Sequence, residues 1–245
     1  MAAPDISNED WSGARFRDVN LCGAVLRAVD VDGMDIDSPW LLPENGSLVV
    51  NGVNVAPFVD AELNRRFPGR ELRRAADPDG IREAWAALER TWAASVERAE
   101  GMPAGAVDES VAGEWSFAQT LRHLVMATDV WLGRAILDSD RALHPIGQPH
   151  AEYALDGHDP SVFSETDPTF ERVLEVRAER QAMVRDFLAE VSPDQLIEER
   201  PHPWAPEHRK TVLGCLHTIL AEEWEHHRYA VRDLDVIATT SHLKT

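Results

Sequence analysis

The stretch from Ile219 to Leu234, ILAEEWEHHRYAVRDL, is the most informative part of this chain for its fold and its candidate chemistry. Its apolar residues recur at the three- and four-residue spacing of an amphipathic helix that faces a core. The same stretch places two glutamates and two adjacent histidines close to that apolar face. The function of the helix therefore depends on which of these four polar side chains point inward.

A helical projection separates the four side chains. At about 100° per residue, Glu223 lies in the middle of the apolar stripe and His227 lies about 40° from it. His226 falls on the edge of the stripe, about 60° away on the other side, and Glu222 falls about 100° away. We therefore expect Glu223 and His227 to point into the core. The remaining polar residues are expected to face solvent: Glu222, Glu225 and Arg228.

The pair Glu223 and His227 has two interpretations. A buried carboxylate is costly unless it is paired or binds a metal ion. Because the two residues are one helical turn apart, they could give an oxygen and a nitrogen to one divalent ion. Alternatively, Glu223 pairs with His227 itself or with an arginine of another helix, such as Arg134 or Arg177.

A metal site needs a third ligand, and His123 is the best candidate. It lies in EWSFAQTLRHLVMATDVWLGRAI, residues 114–136, beside the apolar stripe of a second amphipathic helix. Its own face of that helix carries Gln119, Thr120 and Arg134. A partly polar face suits a cleft, although a histidine at the edge of a core can also be purely structural.

Four long amphipathic helices are predicted from residue 77 onwards, at about 79–100, 116–137, 168–191 and 210–234. Four such helices in sequence favour an up-down four-helix bundle, which we assign to residues 77–245. Residues 41–76 are interpreted as a β-hairpin and a short helix, because Asn51-Gly52 is a strong signal for a two-residue hairpin turn. The expected fold is mainly α, with a small amino-terminal β segment.

Residues 1–40 show a five-residue period that fits neither a helix nor a strand. Two apolar series follow this period: Phe16, Leu21, Leu26, Val31 and Ile36, and Ala14, Val19, Ala24, Val29 and Met34. The pattern resembles the pentapeptide repeat, in which two apolar side chains of every five point into a square β coil. We expect a short coil of this kind, which cannot bury its core alone.

Composition excludes several classes of function. The net charge of −19 over 245 residues argues against binding to nucleic acid, whose phosphates attract lysine and arginine. No apolar run is long enough to span a membrane, and the first residues lack the pattern of a signal peptide. Two cysteines cannot build a disulfide framework, so a cytoplasmic location is expected. A bias for arginine over lysine hints at a GC-rich bacterial genome.

The two helical motifs resemble those of the DinB-like, or DinB/maleylpyruvate isomerase, superfamily. Residues 114–136 look like the tryptophan-led helix that carries the family's first histidine ligand. HTILAEEWEHHRYAVRDL, residues 217–234, looks like the family's last helix, in which two ligands lie four residues apart. The mycothiol-dependent maleylpyruvate isomerase branch has glutamate and then histidine there. The resemblance covers about residues 77–235 and implies a divalent metal, usually zinc, bound by His123, Glu223 and His227; Ni²⁺ and Fe²⁺ stay open.

The resemblance also implies a chemistry. Characterised relatives use low-molecular-weight thiols such as mycothiol or bacillithiol, so we expect a transferase that activates such a thiol for attack on a small electrophile. Arg134, Gln119 and Thr120 are candidates for substrate binding, and no catalytic residue is assigned. Two alternatives stay open: a hydrolase at the same metal site, and a metal-stabilised interaction module whose amino-terminal repeat supports a homodimer.

Overall fold

The structure is a computed structural model that describes residues 6–17, 19–39, 41 and 46–242, with backbone alone for residues 241 and 242. The chain divides into two compact units, Met1–Ser38 and Pro39–Thr245. The sequence-based boundary between residues 1–40 and 41–76 involves residue 40, which lies outside the described residues. Residues 1–5 and 243–245 also lie outside them.

The first unit has a regular rhythm of turns. Left-handed backbone conformations recur every five or ten residues in its described part, at Asn8, Gly13, Gly23, Ala28 and Gly33. The apolar side chains of the expected coil nevertheless remain exposed; Leu21, for example, keeps 57% of its surface and Phe16 keeps 53%. The turn spacing matches a five-residue period, but the inward packing that a pentapeptide coil requires is not seen, and the repeat stays a prediction.

The second unit begins with the expected hairpin. Strands β1 (Val49–Val50) and β2 (Val53–Asn54) pair antiparallel. Asn51 and Gly52 both have positive φ, at 48° and 84°, as a type I′ turn requires. Helix α1 (Ala56–Arg66) follows directly.

Four long helices form the body of this unit, which confirms the mainly helical fold. They are α2 (Pro78–Glu100), α3 (Phe117–Thr128), α4 (Phe170–Glu190) and α6 (Val212–His242). A short helix α5 (Pro193–Leu196) and a hairpin of β3 (Glu199–Pro201) and β4 (Arg209–Thr211) join α4 to α6. Within the described residues, no helix is both long and apolar enough to cross a membrane.

The order of the helices around the core positions the candidate site. Helix α3 packs against α4 and α6, and α2 also packs against α4 and α6. The seam between α3 and α6 therefore lies on the opposite side of the core from the seam between α2 and α4. The largest fully buried side chains at the centre include Trp92, Leu121, Leu124 and Trp224.

Helix α3 continues for two more turns as a π-helix, Asp129–Ile136, which the sequence pattern does not distinguish from an α-helix. The buried carboxylate of Asp129 accepts from Arg180 Nε at 2.5 Å and from the backbone N–H of His144 at 2.8 Å. These two bonds tie the π-helix to α4 and to the long loop, residues 137–169, that joins the π-helix to α4. Burial nevertheless raises the pKa of Asp129 to about 6, against the opposing effect of Arg180.

This raised pKa predicts a pH dependence of stability. The folded chain holds the proton of Asp129 up to a higher pH than the unfolded chain, whose ordinary pKa is 3.8. Stability from this site is therefore greatest at low pH and is lost as the pH rises towards 6 and beyond. Relative to Asp129→Asn, which does not titrate, we expect the wild-type free energy of unfolding to fall by about 1 kcal/mol between pH 5 and pH 7. Denaturant titrations of both proteins at several pH values measure this difference. The prediction is contradicted if the free energy of unfolding changes with pH equally in the two proteins.

Candidate metal centre

Three ionisable side chains meet at the seam between α3 and α6. His123 comes from α3, and Glu222 and His226 come from consecutive turns of α6. Glu222 Oε2 lies 3.2 Å from His226 Nε2 and 3.6 Å from His123 Nε2. One candidate ligand atom from each residue lies within 4.8 Å of the other two. Within the described residues, this is the cluster of side chains that could hold a metal ion.

The local sequence explains how His123 reaches this position. Ser116 caps the amino end of α3 in a reciprocal capping box with Gln119. Arg122, the neighbour of His123, holds the long loop by bonds to the carbonyls of Ile146, Thr166 and Glu165.

The anchored loop orients the imidazole of His123. The backbone N–H of Gln148 donates to the carbonyl of Arg122 at 3.2 Å, and the carbonyl of Gln148 lies 2.9 Å from His123 Nδ1. A carbonyl only accepts, so Nδ1 carries the proton in this bond. The lone pair of Nε2 is then left facing Glu222. Metal-binding histidines are commonly oriented by such a second bond.

Trp115 covers the two histidines. Its ring centroid lies 4.5 Å from that of His123 and 5.8 Å from that of His226, where the two rings are stacked. This contact restricts both imidazoles, while the Glu222 side chain keeps 35% of its surface exposed. The cluster is thus rigid on the side of Trp115 and accessible at Glu222.

The charges of the cluster suit a divalent cation. Burial opposes ionisation of Glu222, but its contacts with the imidazoles of His123 and His226 hold its pKa well below the ordinary value. Burial lowers the pKa of His226, with Glu222 opposing the shift. An anionic carboxylate beside imidazoles with available lone pairs is a donor set of two nitrogens and one oxygen, which zinc commonly accepts.

The structure places Glu223 and His227 elsewhere, in two separate pairs. Both are buried, as the helical projection predicts, with 1% and 4% exposure. Glu223 accepts from Arg177 Nη2 on α4, at 2.5 Å for each carboxylate oxygen. This is one of the two interpretations that the sequence left open. Burial raises the pKa of Glu223, and Arg177 opposes that shift.

His227 is enclosed by aromatic rings rather than by ligands. Its Nε2 lies 2.8 Å from Ser95 Oγ on α2, and its ring meets Trp92, Phe67 and Trp224 edge-on. Burial lowers the pKa of His227 to about 4, so the ring is neutral near pH 7. The expected set of His123, Glu223 and His227 is therefore not brought together. Of the three, His123 alone belongs to the observed cluster.

The expected substrate residues lie near the cluster or have other partners. Gln119 is occupied by the capping box, and Thr120 is buried beside Phe117 and Trp115 in the lining of a small cavity. Arg134 lies in the π-helix with its guanidinium 5.5 Å from the ring of Trp204. None of these contacts identifies a substrate group.

The sequence contained the signal for Glu222 and His226, but in duplicate. EEWEHH holds two overlapping Glu-x-x-x-His pairs, 222/226 and 223/227, each with the same spacing. The projection favoured the pair nearest the middle of the apolar stripe. That direction points across the bundle, towards Arg177, whereas the edge of the stripe faces α3 and its His123. The expectation that Glu222 faces solvent is corrected accordingly.

Comparison with known proteins supports the helical fold. A model of the DinB superfamily matches residues 87–230, which is more than half of the chain. The matched region contains α3 and the turns of α6 that carry Glu222 and His226. Searches of the curated proteins and of the solved structures found no match. Because the family model covers most of the helical unit, the chain belongs to the DinB superfamily.

Proposed function

We propose that this protein is a metal-dependent S-transferase, in which a divalent cation held by His123, Glu222 and His226 activates a low-molecular-weight thiol towards a small electrophile. The observation that supports it is the convergence of two Nε2 atoms on Glu222 Oε2 at the accessible edge of a buried seam. We propose zinc as the metal, since nitrogen and carboxylate ligands both suit it.

The arrangement fits a catalytic ion better than a structural one. Three protein ligands leave a fourth position open, which is typical of catalytic zinc sites. A bound ion would lower the pKa of a coordinated thiol, so that the nucleophilic thiolate would be available near neutral pH. The chain's own residues orient the donors: the Gln148 carbonyl holds His123, and Trp115 stacks on His226.

A hydrolase is the second candidate, and one observation favours it. Two histidines and one glutamate form the ligand set of several hydrolytic zinc enzymes. The support for the thiol chemistry comes instead from the family resemblance. The two functions therefore have to be separated by the nucleophile that the enzyme uses.

The thiol reaction can be tested with monochlorobimane, an electrophile whose thioether is fluorescent. The thiol sulfur bonds to the carbon that carries chlorine, chloride leaves, and the thiol proton passes to solvent. With mycothiol or bacillithiol, we expect the zinc-loaded protein to raise the conjugation rate above the uncatalysed one. We expect Glu222→Ala and His226→Ala to lower this enzymatic rate by more than about 100-fold, since even second-sphere changes at metal sites cost 10- to 100-fold.

Matched controls separate loss of the site from loss of the fold. Glu83 on α2 and His208 in the β3–β4 turn are exposed residues, so Glu83→Ala and His208→Ala should retain the rate. Equal rates with and without protein for both thiols, in metal-loaded samples, would contradict the transferase. Zinc-dependent cleavage of an ester such as p-nitrophenyl acetate, lost in the same two variants, would favour the hydrolase.

A further inference from the structure

A groove lies between α2 and α4, on the opposite side of the core from the metal cluster. It encloses about 300 Å³, at the small end of the range typical for organic ligands. Its lining residues come from three helices: Glu89, Trp92, Ala93, Val96, Glu97, Glu100, Leu121, Leu174, Arg177 and Gln181. None of the candidate metal ligands belongs to this lining.

The floor of the groove is apolar. Trp92 and Leu121 are almost fully buried, with 2% and 1% exposure, and Leu174 is half-buried beside them. Val96 and Ala93 extend the same surface outwards along α2. Contact with an apolar or aromatic body would remove the exposed parts of Leu174, Val96 and Ala93 from water, and loss of exposed apolar surface is the main source of affinity in small pockets.

The guanidinium of Arg177, in the lining, has unused donors. Arg177 is 3% exposed, and its Nη2 is engaged by Glu223. Among the described residues, its buried Nε and Nη1 atoms have no hydrogen-bond partner. A buried donor without a partner costs about 1–3 kcal/mol, and an acceptor that enters the groove would remove that cost. Because Glu223 already balances the charge of the guanidinium, a neutral carbonyl oxygen fits better than a carboxylate.

The rim of the groove is acidic. Glu97 and Glu100 lie nearly one turn apart on α2 and are exposed, and neither side chain has an ion pair within the described part of the chain. The third rim carboxylate, Glu89, pairs with Arg185. Two unpaired carboxylates at the mouth attract a cation and repel an anion.

We infer that this groove binds a small amphipathic organic cation: an apolar body against Trp92 and Leu121, a neutral carbonyl at Arg177, and an ammonium group at Glu97 and Glu100. The site is separate from the metal cluster and does not depend on the proposed transferase. Amides of apolar amino acids have this combination of groups, and phenylalaninamide is the simplest probe.

Binding of phenylalaninamide to the full chain can be measured by saturation-transfer NMR and titration. We expect it to bind more tightly than phenethylamine, which lacks the carbonyl, and than N-acetylphenylalaninamide, which lacks the cation. The double variant Glu97→Gln/Glu100→Gln should weaken binding about tenfold, which corresponds to about 1.4 kcal/mol. Ala93→Trp should fill the groove and abolish binding.

Ala94→Trp is the matched control, because Ala94 is an exposed neighbour on α2 outside the lining. It should bind the probe as the wild type does. Three results would overturn the inference: no binding at 10 mM probe, equal affinity in Ala93→Trp and Ala94→Trp, or no effect of the two glutamine substitutions. Dimerisation of the wild type that Ala93→Trp alone disrupts, without probe binding, would instead assign the groove to an interface between copies.

Discussion

Substituting either residue of the α6 ligand pair should remove the metal. We expect the purified wild type to contain about one divalent ion per chain, and we expect Glu222→Ala and His226→Ala to bind zinc more than about 100-fold more weakly. Each substitution leaves two of the three donors in the cluster, and two donors do not hold zinc firmly in competition with water. Elemental analysis and competition with a chromogenic chelator measure the effect.

The neighbouring pair provides the control for this experiment. His227→Phe keeps an aromatic ring among Trp92, Phe67 and Trp224 and removes both imidazole nitrogens. The double variant Arg177→Met/Glu223→Met removes the other buried pair. Both should retain the metal of the wild type. If Glu222→Ala keeps the metal and His227→Phe loses it, the ion is held by Glu223 and His227 instead.

Breaking the ion pair of Arg177 and Glu223 should cause a large loss of stability. Both side chains are almost fully buried. Removing either one therefore leaves the other as a buried charge without its partner. We expect Arg177→Met alone to lower the free energy of unfolding by about 3–5 kcal/mol. The double variant Arg177→Met/Glu223→Met should recover most of this loss, because two apolar side chains then replace two desolvated charges.

An exposed pair gives the scale for comparison. Arg172 and Glu175 form a salt bridge on the surface of α4, with 39% and 63% of their side chains exposed. We expect Glu175→Ala to cost less than about 1 kcal/mol. Chemical denaturation of the wild type and of these three variants measures the differences. A loss below 1 kcal/mol in Arg177→Met, or a double variant no more stable than the single, would contradict the account of this pair.

The sequence was a good guide to the helices because their signals are local. Apolar periodicity and the caps at Ser116 and Asp77 set the starts of α3 and α2 close to their expected positions. Asn51-Gly52 likewise fixes a hairpin by its own backbone preferences. Burial of Glu223 and His227 also followed from the projection of one helix.

The composition of the site could not be read in the same way, because it depends on contacts between distant segments. The choice between the 222/226 and 223/227 pairs depends on where α3 and α4 pack against α6. The bond from Gln148 to His123 comes from a long loop with no recognisable motif. The edge position of His226 on the apolar stripe was the available hint for this pair, with Glu222 one turn before it.

We propose that His123, Glu222 and His226 hold a divalent cation. The most direct test of this proposal is a crystal structure of the zinc-loaded protein with anomalous diffraction data collected at the zinc edge. We expect an anomalous peak about 2.0–2.2 Å from His123 Nε2, His226 Nε2 and a Glu222 oxygen. No peak between these atoms, or a peak bound by Glu223 and His227 instead, would contradict it.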